Sequence, residues 1–236
     1  MNTIALVTGA NKGLGYETAR RLATDGWTVL LGSRDKERGT RAATEPSAVG
    51  DVHYVEVDVT SRASVEAAAD RVAVEHGRVD VLINNAGIAG PTHAPREASG
   101  EDLLEVFETN VLGPVTVTHA FLPLLDKSDA PRIVMVSSGL SSLAITSDPD
   151  RMESTLHSVG YPATKSALNM ITSQYAKALP AYRVNVADPG YTATDLNGHS
   201  GFQTTQEGTD AIVALTKVAP DGPTGTFSDR TGTVPW

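Results

Sequence analysis

The sequence predicts an α/β fold: a doubly wound parallel sheet of about seven strands with helices on both faces, in one domain spanning 1–236. Three observations predict it. Short apolar runs alternate with longer stretches whose apolar residues recur at helical spacing, the joints between them are short, and the first joint is rich in glycine. No internal repeat, low-complexity tract or linker divides the chain.

The elements follow in order. Residues 4–7 form an apolar run closed by Thr8 and Gly9, which suits a strand buried on both faces. The next stretch places Leu14, Thr18, Ala19, Leu22 and Ala23 on one helical face and stops at Gly26. A strand at 28–31 precedes a charged helix at 35–43, and 52–57 alternates as a strand does. Ser61 is placed to cap a helix that carries Val65, Ala69, Val72 and Ala73 and ends at Gly77. A strand at 79–83, helices at 101–112 and 114–125, and a strand at 132–136 continue the rhythm. A long helix at 161–179 is stopped by Pro180, because proline cannot continue it. A strand at 184–187, a helix at 205–218 and a short strand near 225–228 complete the fold. Between them, 188–206 is rich in Gly, Thr, Asn and Ser without periodicity and reads as a mobile loop, with 190–206 the expected substrate lid.

Composition narrows the function. The chain of 236 residues is 40% hydrophobic and 20% charged, enough apolar material for a core. Its net charge of −9, without a basic cluster, argues against a nucleic-acid partner, which needs several Lys or Arg on one surface. The absence of cysteine excludes disulfides and thiolate chemistry. No apolar run approaches the ~20 residues of a membrane span. The start, MNTIALVTG, lacks the basic n-region of a signal peptide, so a cytoplasmic location is expected. The six histidines show no metal-ligand spacing, and no metal is expected.

The first strand-to-helix joint reads TGANKGLG. Gly9, Gly13 and Gly15 allow a tight turn and let the backbone approach a pyrophosphate, which the helix N-terminus stabilises; Asn11, Lys12 and Leu14 lie within the turn. The spacing is G-x-x-x-G-x-G rather than the commoner G-x-G-x-x-G. An NAD site usually carries an acid at the end of the second strand, to bond the ribose 2′-hydroxyl, whereas an NADP site places arginine nearby. Here Ser33 stands at the acid's position with Arg34 beside it, and Lys12 adds a second positive charge. NADP(H) is therefore expected in preference to NAD(H). A shift of one residue would instead bring the Asp35 carboxylate to the ribose.

A second constellation lies in residues 137–165, which begin with a serine pair after an apolar run and end in Tyr-x-x-x-Lys. On a helix, Tyr161 and Lys165 project from one face. A phenol beside an ammonium, with a hydroxyl approaching from elsewhere, suits protonation of a carbonyl oxygen. Ser137 and Ser138 are adjacent, and a strand would point them to opposite sides. Tyr175 and Tyr182 lack a lysine partner.

Together these motifs resemble the classical short-chain dehydrogenase/reductase family over nearly the whole chain. TGANKGLG is similar to that family's cofactor turn, Asp58 and Val59 to its adenine contact, and NNAG at 84–87, with Asn85, Ala86 and Gly87, to its motif after the fourth strand. Asn110, Ser138, Tyr161 and Lys165 match its catalytic tetrad in order, and Pro189, Gly190 and Thr192 its nicotinamide-binding turn. Within the family, ANKG, GSRDKERG and the C-terminal PW resemble the NADPH-dependent carbonyl reductases. The resemblance implies a Rossmann fold and reduction of a ketone, aldehyde or quinone, or the reverse oxidation. Tyr161 would be the general acid or base, Ser138 a hydrogen-bond donor to the substrate oxygen, and Lys165 a contact to the nicotinamide ribose. Asn110 would hold a water that relays protons to Lys165. Lys165 and an oxidised nicotinamide, both positive, would lower the phenol below its usual pKa of ~10.

The separation of Ser138 from Tyr161 is longer than usual in that family. The excess lies near 145–158, where Asp148 and Pro149 would start a short helix at 151–156. This insertion is expected to shape one wall of the substrate cleft and to weaken tetramer formation, although self-association remains open. Leu140, Leu143, Tyr191 and Phe202 are candidate apolar walls, and His157 lies near enough to contribute. No Arg or Lys is placed to clamp a carboxylate, which favours neutral substrates over keto acids. The alternative is a catalytically silent NADP(H)-binding regulator on the same fold. All four tetrad positions are filled, which favours the enzyme.

Overall fold

The first strand, β1 (Ile4–Val7), is apolar at every position because both faces are covered. Ile4 and Leu6 point into a core shared with Val65, Phe121 and Leu168, whereas Ala5 and Val7 point into another shared with Ala19, Leu22 and Ile212. The computed structural model describes residues 2–48 and 50–236; residues 1 and 49 of the expected domain lie outside it. β1 pairs with β2 (Thr28–Ser33) on one side and β4 (Val81–Asn84) on the other, both parallel. β3 (Asp51–Glu56) extends the sheet beyond β2, and β5 (Arg132–Val136), β6 (Arg183–Ala187) and β7 (Phe227–Asp229) extend it beyond β4. A two-residue strand, β8 (Gly232–Thr233), pairs antiparallel with β7. The described sheet thus has eight strands, in the order β3-β2-β1-β4-β5-β6-β7-β8. The expected seven omitted β8, which is too short to carry a pattern of its own. Strand order reverses between β1 and β4, and in such sheets ligands bind outside the carboxyl ends of the strands at that point.

α1 (Gly13–Thr24), α2 (Lys36–Thr44), α3 (Arg62–Glu75), α5 (Gly113–Leu125) and α7 (Gly160–Ala178) match the expected helices within a few residues. Three expectations need correction. The helix at 101–112 is α-helical only over α4 (Glu101–Phe107); Glu108–Leu112 is a wider π turn in which the Gly113 N–H reaches the Glu108 carbonyl. Pro114 supplies a reason, because an α-helical bond to the Asn110 carbonyl would need its missing N–H. The helix at 205–218 divides into α8 (Thr205–Gly208) and α9 (Asp210–Thr216). At the break Thr209 leaves the regular pattern: its hydroxyl accepts from Arg21 of α1 (2.9 Å) and donates to the Gln206 carbonyl (2.9 Å). The insertion holds two short pieces rather than one helix at 151–156. They are α6 (Leu143–Thr146), capped by the Ser142 hydroxyl, and a 3-10 turn at Met152–Thr155. Among the described residues, no helix is long and apolar enough to cross a membrane.

Candidate active site

The glycine turn joins β1 to α1 at the reversal point. Gly9 has φ +63°, and an added Cβ would lie 2.8 Å from Ala86 Cα. At Gly15 an added Cβ would lie 2.4 Å from Asn85 Nδ2 and 2.6 Å from the Gly9 carbonyl oxygen, so no larger residue fits. Asn85 ties the NNAG segment to this turn, donating to the Thr8 carbonyl (2.8 Å), while the Thr8 hydroxyl accepts from the Asn85 and Ala86 N–H groups (3.0 and 3.1 Å). Lys12, at the N-cap of α1, offers no side-chain acceptor, and the first turn carries no acid. The N–H groups there are therefore suited to an anion, and the close backbone fits a pyrophosphate.

Asp35 is engaged elsewhere. Its carboxylate caps α2 by accepting from the Arg38 N–H (2.9 Å), and it lies 3.4 Å from the Arg38 guanidinium. Ser33 is buried against Gly39, whereas Arg34 is exposed. Beside the turn, Asn11, Lys12, Tyr16, Arg38, Arg41 and Glu45 line a cavity of about 340 Å³. Arg38 and Arg41 were not among the sequence candidates, though the R-x-x-R spacing following Arg34 carried a signal. Asp58 bonds within its own turn, accepting from the Thr60 N–H and hydroxyl (3.0 and 2.8 Å), while Val59 packs beside Gly113.

At the carboxyl end of β5 the two serines part. Ser137 is 1% exposed and donates to Asn169 Oδ1 (2.7 Å); Asn169 donates to the Ser141 hydroxyl (2.7 Å), which in turn donates to the Ser138 carbonyl. This buried chain holds the turn Gly139–Ser141 while the Ser138 hydroxyl reaches the Tyr161 phenol. Lys165 lies one turn along α7, its Nζ 5.7 Å from the Tyr161 ring centroid and donating to the Val136 carbonyl (2.8 Å). Asn110 is fully buried in the π turn, its amide donating to the Ile88 carbonyl (2.9 Å) and the Thr164 hydroxyl (3.1 Å). An added Cβ at Gly87 would lie 3.2 Å from Asn110 Oδ1 and 3.5 Å from Lys165 Nζ, so the structure brings these three together.

The short-chain dehydrogenase family profile matches residues 3–204. The chain belongs to that family. A (+)-neomenthol dehydrogenase of Capsicum annuum is 31% identical over 298 aligned positions, covering 96% of this chain and 95% of that enzyme. The solved structure of salutaridine reductase from Papaver somniferum superposes with a TM-score of 0.83 at 29% identity, covering 96% of this chain and 99% of that one. A short-chain dehydrogenase of Shigella flexneri solved with NADP has a TM-score of 0.85 at 27% identity, covering 98% of both chains. This short-chain dehydrogenase is accordingly an oxidoreductase.

The remaining loops of the dehydrogenase differ from expectation. The 190–206 segment is bonded rather than irregular. Thr192 bridges to Gln203, Asn197 Nδ2 donates to the Thr192 carbonyl (2.9 Å), and the Thr192 hydroxyl donates to the Pro189 carbonyl (2.9 Å). Gly190 has φ +66° and contacts Gln203 so closely that a Cβ would collide with it. Lys12 of the glycine turn reaches Asp195 in this segment (2.7 Å). Tyr191 and Phe202 stack edge to face at 5.9 Å, with Phe202 75% exposed. Leu140 lies beside Ser138 on the same turn, whereas Leu143 is 74% exposed and His157 is also exposed.

Among the chain's own groups, the expected lowering of the Tyr161 phenol by Lys165 does not appear: burial pushes it up to about 12, the Asp188 charge adds to the rise, and the Ser138 hydrogen bond opposes it. Burial brings Lys165 down to about 8. Sequence reasoning also missed Asp188, whose role depends on neighbours distant in the chain.

Proposed function

We propose that this dehydrogenase interconverts a small neutral carbonyl compound and its alcohol, using NADP(H) in preference to NAD(H). The observation that carries this is the convergence of Ser138, Tyr161 and Lys165 beside a glycine turn fitted to a dinucleotide. The turn at Gly9, Asn11, Gly13, Leu14 and Gly15 would hold the pyrophosphate. Asn85, Ala86 and Gly87 would flank the dinucleotide, and Pro189, Gly190 and Thr192 the nicotinamide. Arg34, Lys12 and Arg38 would surround a 2′-phosphate, which Asp35, occupied at its cap, does not oppose from the ribose side.

When bound, the nicotinamide supplies the hydride. Tyr161 gives its proton to the carbonyl oxygen, and Ser138 donates a second hydrogen bond as charge develops there. Lys165, held by the Val136 carbonyl, keeps a positive charge near the phenol. Because the Asn110 amide is engaged by Ile88 and Thr164, a proton-relaying water would rest on its main-chain carbonyl rather than its side chain. The names of the relatives, a dehydrogenase and a reductase, support either direction of transfer.

NADPH oxidation against ketones, aldehydes, quinones and keto acids tests the substrate class. Tyr161→Phe is expected to lower kcat by ~10²–10⁴-fold, the usual range for loss of a general acid. Turnover that survives it removes Tyr161 from the mechanism. For the cofactor, Arg34→Ala is expected to lower kcat/KM for NADPH by about tenfold or more, as for loss of a charged hydrogen bond, with NADH little changed. An unchanged ratio of the two cofactors would sink the NADP(H) assignment.

A further inference from the structure

Asp188 follows β6 directly, one residue before the Pro189 turn. It is 7% exposed, and among the described residues no Lys, Arg or His forms an ion pair with it. Its carboxylate accepts from the Gly190 N–H (2.8 Å) and from the backbone of Gly139. It therefore joins two turns from different strands, one next to Ser138 and the other the candidate nicotinamide turn. An added Cβ at Gly139 would lie 3.0 Å from Asp188 Oδ2, so the carboxylate sits tightly against that turn. A buried carboxylate without a cation is unfavourable to hold, and its field is poorly screened.

We infer that Asp188 is a positioning residue: its buried carboxylate fixes the Gly190 turn against the Gly139 turn that carries Ser138, the hydrogen-bond partner of the Tyr161 proton donor. The inference rests on Tyr161 being the general acid. The charged groups around the pair are few. Glu153 from the insertion and Asp229 from β7 face Asp188, and both raise its pKa along with burial; Arg151 lies 3.5 Å from Glu153. Tyr161 faces Asp188, the Ser138 hydroxyl and Lys165 on its own helix. A negative charge beside a phenol disfavours the phenolate and so raises the phenol's pKa. Reduction uses the protonated phenol and therefore persists to higher pH. Oxidation uses the phenolate and therefore begins at higher pH. Asp188 would thus oppose Lys165 and a positively charged nicotinamide, leaving the phenol protonated and ready to donate over the range where reduction is needed.

Two neutral variants test this. Asp188→Asn preserves one hydrogen-bond acceptor at the turn, and Asp188→Ser preserves a smaller one; both remove the charge. For each, circular dichroism checks the fold, and kcat/KM is measured for alcohol oxidation and carbonyl reduction from neutral to alkaline pH. In both variants the rise in oxidation and the fall in reduction are expected at lower pH, by on the order of one unit. A folded neutral variant that keeps the wild-type midpoint overturns the inference. Loss of folding in both would leave Asp188 a purely structural residue and overturn it as well. Tyr161→Phe separates the two levels. If that variant keeps turnover, the proposed mechanism itself fails. If it loses turnover while the Asp188 variants keep the wild-type midpoint, only the role of Asp188 fails.

Discussion

The glycine turn after β1 and the serine turn after β5 stand at the same edge of one sheet, yet they are shaped by different means. The first is shaped by backbone. Gly9 and Gly15 approach Ala86, Asn85 and each other's main chain more closely than any Cβ permits. The second is shaped by buried side chains, with the chain of hydrogen bonds from Ser137 through Asn169 and Ser141 to the Ser138 carbonyl holding the turn from beneath. A surface that must lie against a pyrophosphate needs main chain brought close to it. A site that must aim one hydroxyl needs its neighbours fixed and that hydroxyl left available. Substitutions at the two turns should therefore fail differently, the first in cofactor binding and the second in chemistry.

The largest effect that separates them is expected within the serine pair. Ser138→Ala removes the proposed donor to the developing oxyanion and is expected to lower kcat by ~10²–10³-fold, with only a small loss of stability because its cap on the Leu140 N–H is long at 3.3 Å. Ser137→Ala leaves Asn169 Oδ1 without its buried donor and is expected to lower stability by about 1–3 kcal/mol, with a smaller loss of kcat. Thermal melts and steady-state rates on both variants check this. Equal losses of kcat would mean that the two hydroxyls are not divided as their geometry divides them.

At the other turn, Gly15→Ala is expected to weaken NADPH binding rather than the chemical step. Its Cβ would meet Asn85 Nδ2 at 2.4 Å and the Gly9 carbonyl at 2.6 Å, and the second of these atoms is backbone that cannot simply rotate away. Overpacking of this kind costs about 1–3 kcal/mol, or roughly five- to 150-fold if it falls mainly on cofactor affinity. A fluorescence titration with NADPH measures it. A normal Kd with a depressed kcat would contradict the contrast between the turns.

The same contrast explains what the sequence could show. TGANKGLG and Tyr161/Lys165 are local, each written within a single turn of chain, so the residues that cooperate are near one another in the text. The π turn was also legible in principle, since Pro114 stands where the Asn110 carbonyl would need a donor. Asp188 was not. Its meaning depends on Gly139, Glu153 and Asp229, which reach it from three other parts of the chain. The order in 190–206 was hidden for another reason: it comes from side chain-to-backbone bonds such as Asn197 to Thr192, which leave no apolar periodicity. The short pieces of the insertion are held similarly, by the Ser142 cap on α6 and by Asp148 accepting from the Asp150 N–H (3.0 Å).

The smallest effect lies where the two regions touch. Lys12, from the glycine turn, pairs at 2.7 Å with Asp195 of the 190–206 segment, and Asp195 also bonds His199 (2.8 Å). Both members of the Lys12–Asp195 pair are more than half exposed, so the pair is worth only ~0.2–1 kcal/mol and weakens with salt. If Lys12 also serves a 2′-phosphate, Asp195 competes with that phosphate for the same ammonium. Asp195→Asn should then lower the KM for NADPH by about two- to fivefold at low ionic strength, an amount consistent with the weak pair. NADH, which lacks the phosphate, should show no such gain, and the difference should fade as salt is added. A higher KM for NADPH in the variant would mean instead that Asp195 matters more for holding the segment over the cofactor turn than for restraining Lys12. The response of one exposed ion pair to the presence or absence of a phosphate therefore decides whether the two regions cooperate in binding the cofactor or compete for it.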